Sequence, residues 1–469
     1  MNCTRRTFVK TVAAAAAARG VCAEGAPAAK RWYKGNLHTH SFWSDGRAFP
    51  EQALNWYKSR GYNFCALTDH NLFADDNARW LPARRVAKNV LADYLAQFPN
   101  AEKRTVGGKD EYRLKTFSEY SALLNEKEKF LVLPAIEDTR SICYPATGQV
   151  RNLHMNCINL PGLPPEMARG IPYRVENAVI TDFLKRECGI FANYAKKLAR
   201  PHLFMLNHPI WTWYDINPEV LIDNPEVRFF EQCNNGSPLP PPASLLDDGF
   251  DTDRFWDVVN AFRARRNQPF LYGLGNDDTH YYHGEGGKML MPGNAWNLVR
   301  ARALTPEAIL AGFEAGESVV CEGVEPSKVE FDRATGTLTM RAEAKPGVAH
   351  TIRFIVSKRD FKEMPESTFK ITPPGARPAE KKMYVREIKV YDRKKIGVVA
   401  KMVQGRVGEA LGARTMLTNA CHCVLPLCYG TVLAAIGVAS LFHVVSGAVG
   451  VSSLAALSRA GRKKPAVEA

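Results

Sequence analysis

Histidines and carboxylates recur along this sequence at places where they could share metal ions. Asn36-Leu-His38-Thr-His40 is followed by Ser44-Asp45-Gly46, then by Leu67-Thr-Asp69-His70 and Ala135-Ile-Glu137-Asp138. His154, Leu206-Asn-His208-Pro209 and Asn276-Asp-Asp278-Thr-His280 complete the series. Most of these groups close a short apolar run. Residues i and i+2 of a strand point the same way, so His38 with His40, and Asp278 with His280, each present two ligands to one centre. Imidazole and carboxylate in this proportion suit Zn²⁺, Mn²⁺ or Fe²⁺ better than Ca²⁺ or Mg²⁺. A lone histidine is usually a satisfied core residue. Strand ends carrying them in series point to a metal site instead.

The elements that must position these groups show the same rhythm. Apolar runs at 32–38, 62–67, 130–136, 153–160, 202–206, 228–232 and 270–274 alternate with helical patterns such as 176–199 and 253–265. That alternation predicts an α/β fold, and seven strands over about 290 residues suggest a barrel more than an open sheet. Residues at the carboxyl ends of barrel strands converge on one mouth. The stretch 72–129, with amphipathic helices near 83–97 and 117–126, reads as an insertion after the second strand. From 321 to 414 the pattern turns to alternating β with turns, which predicts a small β-rich domain.

His-x-His with a downstream Ser-Asp-Gly, Thr-Asp-His-Asn, a strand-end Glu, two isolated His and a final Asp-x-His resemble the polymerase-and-histidinol-phosphatase (PHP) superfamily. The similarity covers about 31–320 and is greatest to the branch that includes carbaryl hydrolase-like metallohydrolases. It implies a distorted (β/α)7 barrel, metal-dependent hydrolysis and two or three divalent metal ions. His38, His40, Glu137 and Asp278 would hold the first metal and form the catalytic centre. Glu137 would bridge to a second, completed by His154 and His208. Asp45, His70 and His280 would hold a third.

With such a site, a water bridging two metals would become the attacking hydroxide, and three cations would match the oxygens of a phosphomonoester or diester. The same site could instead cleave a carboxylic ester, carbamate or amide. A third class of reading is a non-catalytic metal-binding surface protein that uses 321–414 for recognition. Asp69 and Asp277 could orient imidazoles or simply face solvent. Arg140 could clamp an anionic substrate or lie on the surface. Asn235-Gly236 could line the pocket or form a turn, and His283 could protonate a leaving group. His202, at the opposite end of its strand, reads as structural. Gly273-x-Gly275 lacks the third glycine of a phosphate fingerprint. Cys421-His422-Cys423 has no second ligand pair nearby, and the eleven cysteines are too irregular for a disulfide scaffold.

The net charge of +14 sits at the two ends of the 469-residue chain. Residues 1–23 carry Arg5, Arg6, Lys10 and Arg19 with no acid, and 381–469 hold 14 Lys/Arg against four acids, so 24–380 is neutral. That argues against a basic nucleic-acid groove. Thr4-Arg-Arg-Thr-Phe-Val-Lys10 and the alanine-rich run after it resemble a twin-arginine signal within 1–23, which predicts engagement of that export machinery and a periplasmic or extracytoplasmic location. Residues 415–458 contain no Lys, Arg, Asp or Glu. A transmembrane helix within 424–446, a tight hairpin of two, or a buried apolar pair of elements would each account for this.

Overall fold

The structure is a computed structural model. It describes residues 29–332 apart from 77, 145–149, 169, 211–213, 215, 217, 235–251, 285–289 and 324, and, beyond them, 337–342, 353–358, 386–390, 405–407, 416–418 and 440–445. Strands β1 (Arg31–Asn36) and β2 (Phe64–Ala66) come first, with α1 (Pro50–Ser59) between them. The insertion supplies β3 (Trp80–Pro82), α2 (Lys88–Gln97), β4 (Lys103–Val106), β5 (Lys109–Arg113) and α3 (Phe117–Leu124). Then follow β6 (Leu131–Leu133), β7 (Ala135–Cys143), β8 (Val150–Ile158), β9 (Arg174–Val175), α4 (Ile180–Lys197), β10 (Leu203–Leu206), α5 (Pro218–Ile222), β11 (Phe229–Asn234), α6 (Thr252–Arg265) and β12 (Tyr272–Asn276). β13 (Trp296–Ala301), α7 (Pro306–Glu314) and β14 (Ser318–Cys321) close this part. The fold is mixed α/β, and all seven apolar runs form strands.

Local sequence explains several boundaries. Pro50 and Pro306 occupy the first turns of α1 and α7, where a missing N–H costs nothing. Thr305 Oγ1 accepts the Ala308 N–H at 3.3 Å, and the Glu119 carboxylate accepts the Thr116 N–H at 2.8 Å, so two helix starts are satisfied. Pro134 separates β6 from β7. The three-residue β6 therefore ends one sheet and β7 enters another.

Two six-stranded sheets carry the fold. In one, β6, β2 and β1 run parallel, and β1 pairs antiparallel with β13, which continues to β14. In the other, β10, β11 and β12 run parallel, but β8 is antiparallel to both β10 and β7. The uniform parallel pattern expected of a β/α rhythm is thus broken at β8. Two parallel bridges join the sheets: Thr39 with Thr279, both beyond their strands, and His70, beyond β2, with Glu137 of β7. One apolar cluster draws Leu37, Ala66, Leu133, Ile158, Met205, Phe229 and Leu274 from all seven runs, together with Ile309, Leu310 and Phe313 of α7. Burying each large member contributes about 1.5–3 kcal/mol. A second cluster packs α4, α5 and α6 on β7, β8, β10 and β11, and a third packs α1 and the insertion. Glu51 of α1 reaches into this third layer, where it accepts the Tyr94 hydroxyl at 2.6 Å and lies 3.4 Å from Lys115.

Beyond Cys321 the described segments are strands β15 (Pro326–Asp332), β16 (Thr337–Ala342), β17 (Arg353–Lys358), β18 (Arg386–Val390), β19 (Gly405–Val407), β20 (Met416–Thr418) and β21 (Ser440–Val445). β20 pairs with β14 and so joins the first sheet. β21 pairs with β17 and β19. Among the described residues no helix is long and apolar enough to cross a membrane. Apart from 416–418 and 440–445, the apolar stretch 415–458 lies outside the described residues, as do 1–28 and Cys421-His422-Cys423.

Candidate metal centre

The structure brings all nine candidate ligands together. Within four overlapping groups, ligand atoms lie within 4.8 Å of one another: His40, Asp45, His70 and His280; His38, His40 and Glu137; His38, His208 and Asp278; His70, Glu137 and His154. These groups interlock and do not separate into the three ligand sets implied by the resemblance. His40 sits with Asp45, His70 and His280 as well as with His38, and His70 also reaches Glu137.

Glu137 lies at the middle. Its oxygens are 2.8 Å from His70 Nδ1, 3.0 Å from His154 Nδ1, 3.3 Å from His38 Nε2, 3.5 Å from His40 Nε2 and 3.8 Å from His208 Nε2. Asp278 approaches the same space from β12, 3.1 Å from His40 and 3.2 Å from His38. Glu137, His38 and His40 are fully buried, whereas the Asp45, His70 and His280 side chains are 53%, 24% and 14% exposed. The centre therefore opens to solvent on the side of Asp45.

The electrostatics follow from this crowding. Burial lowers the His38 pKa, but Asp278, Glu231 and Glu137 overcome it and hold the ring well above its ordinary value of 6.5. His70 is raised in the same way by Glu137 and Asp45. Burial, then the neighbouring His280 and His70, push His40 down to about 3, and burial takes His208 to about 4. Burial works against ionisation of Glu137 and Asp278, yet the surrounding imidazoles hold both well below the carboxylate range. Buried carboxylates facing imidazole nitrogens are the donor set that divalent transition metals take once the imidazoles give up their protons. His38 Nε2 and Glu137 Oε2 are buried and meet only other candidate ligands, at 3.2–3.3 Å and 2.8–3.5 Å, as atoms turned toward a shared cation would. The residues fit a multinuclear site.

The strands position these groups differently from what the sequence suggested. Glu137 does not close its strand: β7 runs on to Cys143, and Glu137 reaches the centre where His70 bridges to it. His154 comes in on the reversed strand β8, opposite Thr139, so it reaches the site from mid-strand. His208 and Asp278 follow β10 and β12 with φ of 21° and 50°, a left-handed conformation that costs a non-glycine residue roughly 1–3 kcal/mol and is concentrated at functional sites. Asp69 fixes the loop that carries Asp45: it accepts hydrogen bonds from the backbone and hydroxyl of both Ser41 and Ser44, at 2.6–3.1 Å.

Other candidates take different roles. Asp277 neither orients an imidazole nor faces solvent. It is buried and accepts the N–H groups of Gly293, Asn294 and Ala295 at 2.8 Å, the Tyr57 hydroxyl and the Asn36 amide. Arg140 is neither a surface residue nor a substrate clamp. Strand alternation turns it away from Glu137, and it is buried between Asp138 at 2.5 Å and Glu187 at 3.3 Å. His283 pairs with Asp93 at 3.0 Å and belongs to none of the metal groups. His202 opens β10 away from the ligands. At Gly273 and Gly275 an added Cβ would strike Gln232 at 2.2 Å and Val320 at 2.5 Å, so these glycines serve close strand packing. Asn235-Gly236 lies outside the described residues.

Three residues at the centre went unrecognised in the sequence. Glu231 of β11 lies 2.8 Å from His38 Nδ1 and accepts hydrogen bonds from the His208 backbone and from Asn234 and Asn276. Its signal was a carboxylate within the apolar run Phe229-Phe-Glu-Gln-Cys. Asn207 donates to Glu137 Oε1 at 2.7 Å, and the Tyr214 hydroxyl lies 3.2 Å from His154 Nε2.

No known family profile matches the sequence, and no curated protein matches it. Solved structures resemble it distantly. One is a two-domain protein from Bacteroides vulgatus described as containing a predicted PHP-like metal-dependent phosphoesterase, with 15% identity and a TM-score of 0.34 over 78% of this chain and 88% of that one. Another is an amidohydrolase from Chromobacterium violaceum with bound sulfate and no metal, with 13% identity and a TM-score of 0.27 over 54% of this chain and 89% of that one.

Proposed function

We propose that this chain is a metal-dependent phosphoesterase of the PHP type, hydrolysing a phosphomonoester or diester at the centre built around Glu137. One observation carries this reading: a single buried carboxylate with five imidazole nitrogens between 2.8 and 3.8 Å of its oxygens. The two bridges that join the sheets at this mouth support a distorted (β/α)7 barrel as the frame.

Divalent cations held here supply Lewis-acid polarisation of phosphoryl oxygens and lower the pKa of a coordinated water. The chain's own residues do the rest. His38, His40, Glu137 and Asp278 form the deep part of the ligand set, His154 and His208 one flank, and Asp45, His70 and His280 the solvent-facing flank where substrate enters. Glu231 fixes the His38 ring through its other nitrogen, and Asn207 fixes the Glu137 carboxylate. Burial of these groups keeps bulk water out and strengthens each charge interaction.

The test is elemental analysis of purified protein with a panel of aryl phosphates and aryl acetates, on wild type and Glu137→Gln. The expected result is two or three Zn, Mn or Fe ions per chain, phosphate turnover, and near-complete loss of both in the variant. Turnover of acetates alone would select the carboxylic-ester reading. Two or more metals without hydrolysis of either would make the protein a metal binder only.

The twin-arginine pattern at Thr4–Lys10 supports export as a folded protein, and the uncharged stretch 415–458 supports anchoring at the membrane.

A further inference from the structure

Ser44 and Gly46, which flank Asp45, also line a cavity of about 80 Å³ beside the solvent-facing flank of the centre. Its charged walls are three arginines: Arg47 from the same loop, Arg79 just before β3, and Arg85 from the 3-10 turn Ala83–Arg85. Trp80, Leu81 and Leu114 complete its insertion side. Arg79 lies over the Trp43 ring, 4.9 Å from its centroid.

Elsewhere in the insertion arginines are paired: Arg104 with Glu111 at 2.6 Å, and Arg113 with both Glu102 and Glu119 at 2.5 Å. Among the described residues Arg47, Arg79 and Arg85 make no ion pair and no side-chain hydrogen bond. The carboxylates that act on Arg79 are Asp69 and Asp76, from beyond contact, and Asp69 is already engaged by Ser41 and Ser44. Burial, with a smaller contribution from Arg85, lowers the Arg79 pKa despite those acids. Three cations lining one cavity with no carboxylate in contact repel one another, and an anion in the cavity would offset that cost. Guanidinium forks also match phosphate oxygens in pairs.

We infer that Arg47, Arg79 and Arg85 form a subsite for a second phosphate, so that the substrate class is a small bisphosphorylated molecule with one phosphoester at the metals. This rests on the phosphoesterase reading, since the loop Phe42–Arg47 connects the two places. The insertion thereby becomes a specificity element: it supplies Arg79 and Arg85, while the barrel supplies the ligands.

The test is calorimetric binding of α,ω-alkanediol bisphosphates, two to six carbons long, against alkyl monophosphates of matching length, using full-length metal-loaded protein. The best bisphosphate should bind at least roughly tenfold tighter than its monophosphate. That advantage should vanish in an Arg47→Ala/Arg79→Ala/Arg85→Ala variant and persist in Arg104→Ala, which changes a paired arginine outside the cavity. Arg79→Gln keeps the stem over Trp43, and Arg85→Ala changes an exposed side chain. Each alone should lose a few-fold of the preference, so the result does not depend on the triple variant folding. No preference at any chain length, or a preference that survives all three changes, would overturn the subsite. Turnover measured in parallel separates the two claims. An arginine-dependent preference without hydrolysis keeps the subsite and sinks the phosphoesterase, and hydrolysis without preference does the reverse.

Discussion

At the scale of single residues, the centre depends on groups that hold other groups. Glu231→Gln removes the charge that holds the His38 ring, and such outer partners typically tune metal affinity by 10–100-fold. The expected outcome is a loss of about that size in a metal competition titration, with secondary structure unchanged; unchanged affinity would reduce Glu231 to packing. Acidity should matter as well. His38 and His70 are held protonated well above 6.5 in metal-free protein, so a cation must displace those protons. Metal affinity should rise with pH and loading should release protons, measurable by calorimetry in buffers of different ionisation heat. The raised imidazoles stabilise the metal-free fold below their pKa values, and this contribution disappears as pH rises through them. The depressed Glu137 and Asp278 stabilise it above ordinary values of 4.5 and 3.8, and that contribution disappears as pH falls. Metal-free protein should therefore be most stable in the window between. The nine ligand candidates were legible through the motif resemblance; i, i+2 spacing by itself spoke only for His38 with His40 and Asp278 with His280, and both pairs lie just beyond β1 and β12. Glu231 was not legible, because a carboxylate in an apolar run carries no label of its partner.

Elements turn these residues into a site, and the loop Ser41–Gly46 is one of them. A Cβ on Gly46 would lie 2.4 Å from the His40 carbonyl carbon and 2.5 Å from the Ser41 nitrogen. Gly46→Ala should therefore push this loop outward, cost about 1–3 kcal/mol, and, if a cation sits in the group of His40, Asp45, His70 and His280, weaken its binding more than that of cations deeper in the centre. Melting temperature and metal stoichiometry check this together; full stoichiometry in a stable variant would remove the loop from the site. The seven strands could be read from apolar runs, but the direction of β8 could not. Period-2 patterning is the same for a strand running either way, and only pairing with β7 reveals it. Arg140 was misplaced for a reason the sequence did contain: alternation puts residues 137 and 139 on one face and 138 and 140 on the other.

At the scale of the whole molecule, the neutral body between two basic ends was legible from composition alone. If Arg5 and Arg6 address the chain to the twin-arginine route, changing both to Lys should leave the protein in the cytoplasm. Fractionation with an antibody checks this, and undiminished export would refute the address. If 415–458 anchors the exported protein, membranes should retain it through a high-salt wash.

The bridges Thr39–Thr279 and His70–Glu137 are where the two large sheets meet, and ligands sit on or beside both. A cation bound there acts as a rivet across a seam, so loading and closure of the framework become one event. Stripping the ions should then loosen this rim before anything else. Hydrogen exchange at 38–40, 69–71, 136–138 and 278–280 should accelerate in chelator while the strands behind stay protected. Stability should fall with the logarithm of free metal, by about 2.7 kcal/mol for a hundredfold excess over Kd removed, and the melting temperature with it. A protein built this way would be finished only when metallated, wherever in the cell its ions are supplied.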